Sequence, residues 1–228
     1  MGKTRVDVAF MVAMSEEIDG IFDLDQWSEA EAEPYGVREF RGGPASAVLV
    51  HTGIGTTNAA AAAQHTLDLY DPRRVVNMGL VGCLNRAIDI GVVHTVAACA
   101  FFDVDATAFG YRIGQIPRTA VTEYELKSRV PDAPEAKLIS GDTFVTDPAV
   151  FHPDLNRFAA DFVDMELAAI AHTLFRHDLL DRLESYKAAS DYCDDESTDA
   201  FDLNMPKALA NLAAIAESIL RGGSDVTA

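Results

Sequence analysis

Basic residues are scarce in this chain of 228 residues: 18 Lys and Arg stand against 36 Asp and Glu, giving a formal net charge of −18 and a sequence pI near 4.5. A field of that sign repels phosphate backbones and anionic headgroups, so nucleic acids and membrane surfaces are poor partners. Cysteine is nearly missing. Cys83, Cys99 and Cys193 are odd in number, far apart and without a C-x-x-C pair, which argues against a disulfide framework or zinc knuckle and for a reducing, cytoplasmic setting. The histidines form no H-E-x-x-H; His172 and His177 are five apart and diverge on a helix, so no metal site is expected. Long hydrophobic runs are also lacking. The apolar stretch from Val8 ends by Met14, and Ser15-Glu16-Glu17 follows where a signal peptide needs a small-residue cleavage site. The uncharged Ala45 to Leu67 stretch carries His51, Thr52, Asn58, Gln64 and His65, which suits a strand, loop and helix better than a membrane span.

What remains has globular composition, with 49% hydrophobic and 24% charged residues. Val6 to Met14 reads as a buried strand and Ser15 as the N-cap of a helix whose first turn is acidic. Tyr35 to Arg41 and Ala45 to His51 flank Gly42-Gly43-Pro44 and read as a hairpin. Thr57 to Leu69 is an alanine-rich helix, with Pro72 as its stop. Arg74 to Leu80 and Val92 to Phe102 are apolar and β-prone, as strands covered on both faces are. Asp105 to Pro117 has neither period and reads as a functional or interfacial loop. Short strands are expected at Leu138–Ile139, Phe162–Met165 and Tyr186–Ala189. A helix is expected over Glu166–Leu180, and a closing helix carries Leu209, Leu212, Ile215 and Ile219 on one face up to Gly222-Gly223. With no linker or repeat, residues 1–228 form one α/β domain of three layers, α/β/α, around a central mixed sheet.

Gly53-Ile54-Gly55, after a strand and before a helix, lacks the third glycine of a dinucleotide fingerprint because Asn58 holds that place; a tight turn lining a small-ligand pocket is the better reading. Three acids stand at strand ends or strand-to-helix junctions: Glu17, Glu166 and Asp191. Ligands of open α/β sheets sit outside the carboxyl ends of strands, so these acids can converge although far apart in sequence.

Six short segments occur in order: Ala13-Met14-Ser15-Glu16-Glu17, Gly53-Ile54-Gly55, Thr107-Ala108-Phe109-Gly110-Tyr111 running on to Gly114-Gln115-Ile116-Pro117, Ser140-Gly141-Asp142-Thr143-Phe144, Val163-Asp164-Met165-Glu166 and Ser190-Asp191. On these the chain resembles the 5′-methylthioadenosine/S-adenosylhomocysteine nucleosidases of the nucleoside phosphorylase superfamily, over roughly Val6 to Leu220. The resemblance implies hydrolysis of the N-glycosidic bond without metal or organic cofactor. Asp191, with Ser190 beside it, would protonate N7 of the leaving purine, and Glu17 would orient and deprotonate the attacking water. Glu166 would bind the ribose hydroxyls, Met165 pack on the sugar, Phe144 stack on the purine and the Val145 main chain bond its edge. Met14, Ile54 and Phe201 would line the apolar end of the site. Phe109 and Pro117 would reach in from a neighbouring subunit of a homodimer.

Two positions depart from that family's pattern. Leu80 replaces a serine, and Lys187 an arginine, that help to hold the attacking water. The phosphorylase branch carries an anion-binding arginine where this chain has Asn77, and acidic Glu16-Glu17 opposes phosphate there, so hydrolysis is expected over phosphorolysis. Within the fold, the alternative substrate is futalosine or 6-amino-6-deoxyfutalosine. Outside enzymology, Leu80 and Lys187 leave open a nucleoside-binding protein of low turnover.

Overall fold

Alternation along two neighbouring strands decides how the sheet is covered. In β1 (Thr4–Val12), Val8, Phe10 and Val12 face one side while Ala9 and Met11 face the other. In β5 (Tyr70–Cys83), Val76, Met78 and Leu80 join the first side and Val75 and Val81 the second. The first side packs on α1 (Ser15–Ile21) and α4 (Ser197–Leu220) through Ile18, Ile21, Leu209 and Leu212. The second packs on α2 (Thr56–Leu69) and α3 (Leu167–Arg176) through Ala59, Ala62, Ala63, Leu167 and Ile170. The result is a mixed sheet between two helix pairs, as the composition of the segments predicts. This computed structural model describes residues 2–31, 33–130, 133–146, 155–194 and 197–222.

The sheet runs β10-β6-β8-β9-β5-β1-β4-β3-β2, where β2 is Trp27–Glu31, β3 Val37–Phe40, β4 Ala47–His51, β6 Val93–Phe101, β8 Glu135–Ser140, β9 Phe162–Asp164 and β10 Leu183–Asp191. A short β7 (Tyr124–Glu125) pairs with β6. Because β10 also pairs with β5, the strands β5, β10, β6, β8 and β9 close into a ring. Strands β1, β4, β5 and β10 are mutually parallel, so their carboxyl ends open on one side.

Several boundaries differ from the sequence reading for identifiable reasons. Pro72 does not stop α2, which ends at Leu69; it lies inside β5 opposite Val6, before the pairing of β5 with β10 begins at Val75, so its missing N–H leaves no ladder bond unmade. Met14, not Ser15, occupies the N-cap of α1, and the Ser15 hydroxyl instead donates to Glu16 at 3.3 Å. The helix expected to reach Leu180 stops at Arg176, and the chain breaks direction at Asp178, whose φ is +59°. Strands β2 and β7 were not foreseen. Gly222 closes the last helix with φ +78°, whereas Gly223 lies outside the described residues.

One glycine explains how α1 is seated. A Cβ on Gly20 would lie 2.4 Å from Leu209 Cδ1 and 3.0 Å from its Cβ, so α1 and α4 touch at a point only glycine permits. Alanine is the better helix former by roughly 1 kcal/mol, yet Gly20→Ala is expected to destabilise the protein by about 1–3 kcal/mol through overpacking. Chemical denaturation midpoints of the two proteins measure the difference.

Candidate active site

The parallel strand ends open into a cavity of about 320 Å³, at the lower end of small-molecule sites. Met14, Glu17, Ile54, Phe144, Val145, Met165, Glu166, Ser190, Asp191 and Phe201, all singled out in the sequence, line it. Phe109 and Pro117 do not. Phe109 is 85% exposed on the 105–117 loop, and Pro117 is exposed as well.

Glu17 comes from the first turn of α1, directly after β1. Its Oε1 accepts the Leu80 N–H at 2.7 Å and its Oε2 the Met14 N–H at 3.1 Å. A Cβ on Gly79 would stand 2.6 Å from Glu17 Oε1, so glycine there is what lets the carboxylate lie against β5. Burial pushes the Glu17 carboxyl above its ordinary value, more than the Leu80 N–H, Lys187 and the Met14 N–H pull it down. With leucine at position 80, the main-chain N–H still grips Glu17 and the cavity wall beside it is apolar.

Glu166 follows β9. Its Oε1 accepts the Gly55 N–H at 3.0 Å, which gives the Gly53-Ile54-Gly55 turn its purpose: Gly53 and Gly55, with φ of +74° and +103°, aim an N–H at a carboxylate. Asn58, at the place of the missing third glycine, donates to the Ile54 carbonyl at 2.7 Å and braces the turn. Burial first, then the charge of Asp164, pushes Glu166 up to about 7.

Asp191 ends β10 and is buried. Its Oδ1 accepts the Cys193 N–H at 2.8 Å, and its Oδ2 lies 2.8 Å from Ser190 Oγ, which is itself 3.2 Å from the Val81 carbonyl. The hydroxyl can thus serve either form of the acid. It donates to an ionised Asp191, or accepts from a protonated one while donating to Val81.

The sequence reading named Lys187 as a departure near the attacking water but not Asp164, the partner with which it organises these acids. Lys187, buried on β10, places Nζ 2.9 Å from Asp164 Oδ2 and is not among the residues lining the cavity. Burial would lower its pKa, but Asp164, Glu166 and Glu17 together raise it, so it stays an ammonium. Asp164 also accepts the Ser140 hydroxyl at 2.6 Å and the N–H groups of Glu166 and Leu167, fixing the start of α3. Its signal in the sequence was an acid inside the apolar Phe162-Val163-Asp164 strand. Asp142 was likewise unassigned; it accepts both the N–H and hydroxyl of Thr56 at 2.6 Å and holds the start of α2.

Among the described residues no group of His, Cys, Asp and Glu is arranged to hold an ion. His172 is engaged by the Tyr124 hydroxyl and His177 by Gln64, each at 2.7 Å. Among the same residues no helix is long and apolar enough to cross a membrane.

Fold and cavity define an α/β protein with a small-molecule site at its strand ends. The chain belongs to the phosphorylase superfamily, whose profile matches residues 7–221. Its sequence is 28% identical over 232 residues to a 5′-methylthioadenosine/S-adenosylhomocysteine nucleosidase of Staphylococcus haemolyticus, covering 94% of this chain and 99% of the relative. Among solved structures it is similar to the nucleosidase of that name from Neisseria meningitidis in complex with methylthio-immucillin-A, with TM-score 0.80, 27% identity, and coverage of 95% and 99% of the two chains. A futalosine hydrolase of Helicobacter pylori shares the fold, with TM-score 0.84 at 20% identity over 95% and 97% of the chains.

Proposed function

We propose that this chain hydrolyses the N-glycosidic bond of 5′-thio-substituted adenosines, 5′-methylthioadenosine and S-adenosylhomocysteine, releasing adenine. The observation that carries the reading is one cavity bounded by Glu17 and Asp191, with Glu166 beside them. A purine anion is a poor leaving group; a proton given by Asp191 as the bond lengthens removes that cost, and Ser190 is placed to support the acid before transfer and the anion after it. The ribosyl centre becomes positive as the purine departs, and Glu17 and Glu166 supply the compensating charge. Glu17, basic because it is buried, takes the proton of the attacking water. Phe144 and Met165 then supply apolar surface for base and sugar.

Water rather than phosphate is the nucleophile in this reading. Among the described residues no lysine or arginine lines the cavity. Asn77, at the place of the phosphorylase arginine, is buried and turned to its neighbours, donating to the Met11 carbonyl at 3.1 Å and accepting from Ser185 at 3.3 Å. The nucleosidases among its relatives support the same substrate class. A cytoplasmic enzyme of methionine salvage is the corresponding cellular role.

The test is adenine release from methylthioadenosine alongside a binding titration of the same nucleoside. Asp191→Asn and Glu17→Gln are each expected to lower turnover by about 100-fold or more while nucleoside still binds. Binding without release by the parent protein would favour the low-turnover binder instead. The pH dependence follows from sign: Glu17 must be ionised to accept a proton, and its pKa is raised. The acid limb of kcat/KM is therefore expected above 4.5, the ordinary glutamate value.

A homodimer completes the proposal. Ile54 and Phe144 at the cavity wall are 51% and 54% exposed, and Phe109 presents an uncovered ring elsewhere on the same chain. An interface of about 1,200–2,000 Å² would cover such surface, with Phe109 and Pro117 of one protomer closing the site of the other. Sedimentation is expected to give a dimer, and Phe109→Ala to raise KM; a fully active monomer would contradict the shared site.

A further inference from the structure

Charge on the cavity wall has one sign. Glu17, Asp164, Glu166, Asp191 and Asp202 line it, without a lysine or arginine among the described residues. The buried ammonium nearby, that of Lys187, is engaged by Asp164. Four of these acids are buried at the reacting end. Asp202 differs: it is exposed, follows Phe201 directly on α4, and shares the cavity wall with Met14 and Ile54.

We infer that this lining selects the charge of the 5′ substituent, with Asp202 as the specificity-determining residue. Neutral or ammonium-bearing substituents are admitted and carboxylate-terminated ones are turned away. The inference rests on the nucleosidase reading above, which puts the 5′ substituent at the Met14, Ile54 and Phe201 end. Two like charges about 5 Å apart disfavour association by roughly fourfold in bulk water and by roughly 200-fold at the lower effective dielectric near a protein surface, so a solvent-exposed pair is expected to cost about tenfold or more. For the zwitterionic tail of S-adenosylhomocysteine the two ends largely offset each other. A futalosine-type nucleoside ends in a benzoate and falls on the rejected side, so the same charge separates the two hydrolase readings.

Three adenosines that differ only beyond the 5′ sulfur decide the matter: methylthioadenosine, 5′-S-(2-aminoethyl)-5′-thioadenosine and 5′-S-(carboxymethyl)-5′-thioadenosine. Adenine release is followed as kcat/KM at low and high salt. The aminoethyl compound is expected to be favoured over the carboxymethyl one by about tenfold or more at low salt, with the gap narrowing at high salt, where screening shortens to about 3 Å at 1 M. The ratio, read within each variant, is expected to narrow in Asp202→Asn and to invert in Asp202→Lys. Equal values for the two charged compounds, or a ratio unchanged in Asp202→Asn, would overturn the inference. So would a preference for the carboxylate that vanishes in Arg112→Gln, which would give selectivity to the 105–117 loop. Methylthioadenosine is the control for the underlying reading: no adenine from it removes the hydrolase assignment and this inference together, whereas turnover of it with equal rates on the charged pair removes the inference alone.

Discussion

The contact between Lys187 and Asp164 is the constraint on which the rest of the site depends. Two charges withdrawn from water contribute little net stability as a pair, because attraction is set against lost hydration. What the pair does is fix positions. Lys187 stands on β10 and Asp164 on β9, strands that both border β5 but not each other, and Asp164 reaches on to Ser140 of β8 and to the first N–H groups of α3. Four elements are thereby tied at one point, beneath the cavity.

The same pair makes the neighbouring acids useful. Glu166 and Glu17 both feel the Lys187 ammonium, and each also accepts main-chain N–H bonds, yet burial outweighs these and raises both. An acid whose pKa is raised can be ionised at working pH and still take a proton more readily than an ordinary carboxylate, which suits the base proposed for Glu17. Close packing completes the arrangement. Without a side chain at Gly79, Glu17 lies against the sheet, and the positive φ of Gly55 turns its N–H toward Glu166.

Much of this was legible in the sequence where a residue's chemistry conflicts with its neighbourhood. Glu17, Glu166 and Asp191 drew notice as acids beside apolar strands, and all three line the cavity. Strands β1, β5 and β6 announced themselves by apolar composition, although β5 ran on past Pro72 because a strand end paired on one side tolerates proline. What sequence could not supply was partnership across the fold. Lys187 looked like a substitute at the water site, and only the three-dimensional register shows its ammonium on Asp164. The ring closure of β10 onto β5 was similarly invisible, since pairing between Leu183–Asp191 and Val75–Gly82 leaves no local pattern. Phe109 and Pro117 stand apart from the cavity of their own chain, so the part proposed for them needs a second protomer.

Burial holds the Glu17 carboxyl above its ordinary value, and burial with repulsion from Asp164 holds that of Glu166 at about 7, both beside the Lys187 ammonium. Carboxyl-carbon NMR titration of the intact protein, with glutamate labelled and Glu166→Gln and Glu17→Gln used for assignment, reads both directly. The Glu166 resonance is expected to titrate at about 7 and that of Glu17 above 4.5. Both titrating in the ordinary glutamate range would contradict the electrostatic basis of the site.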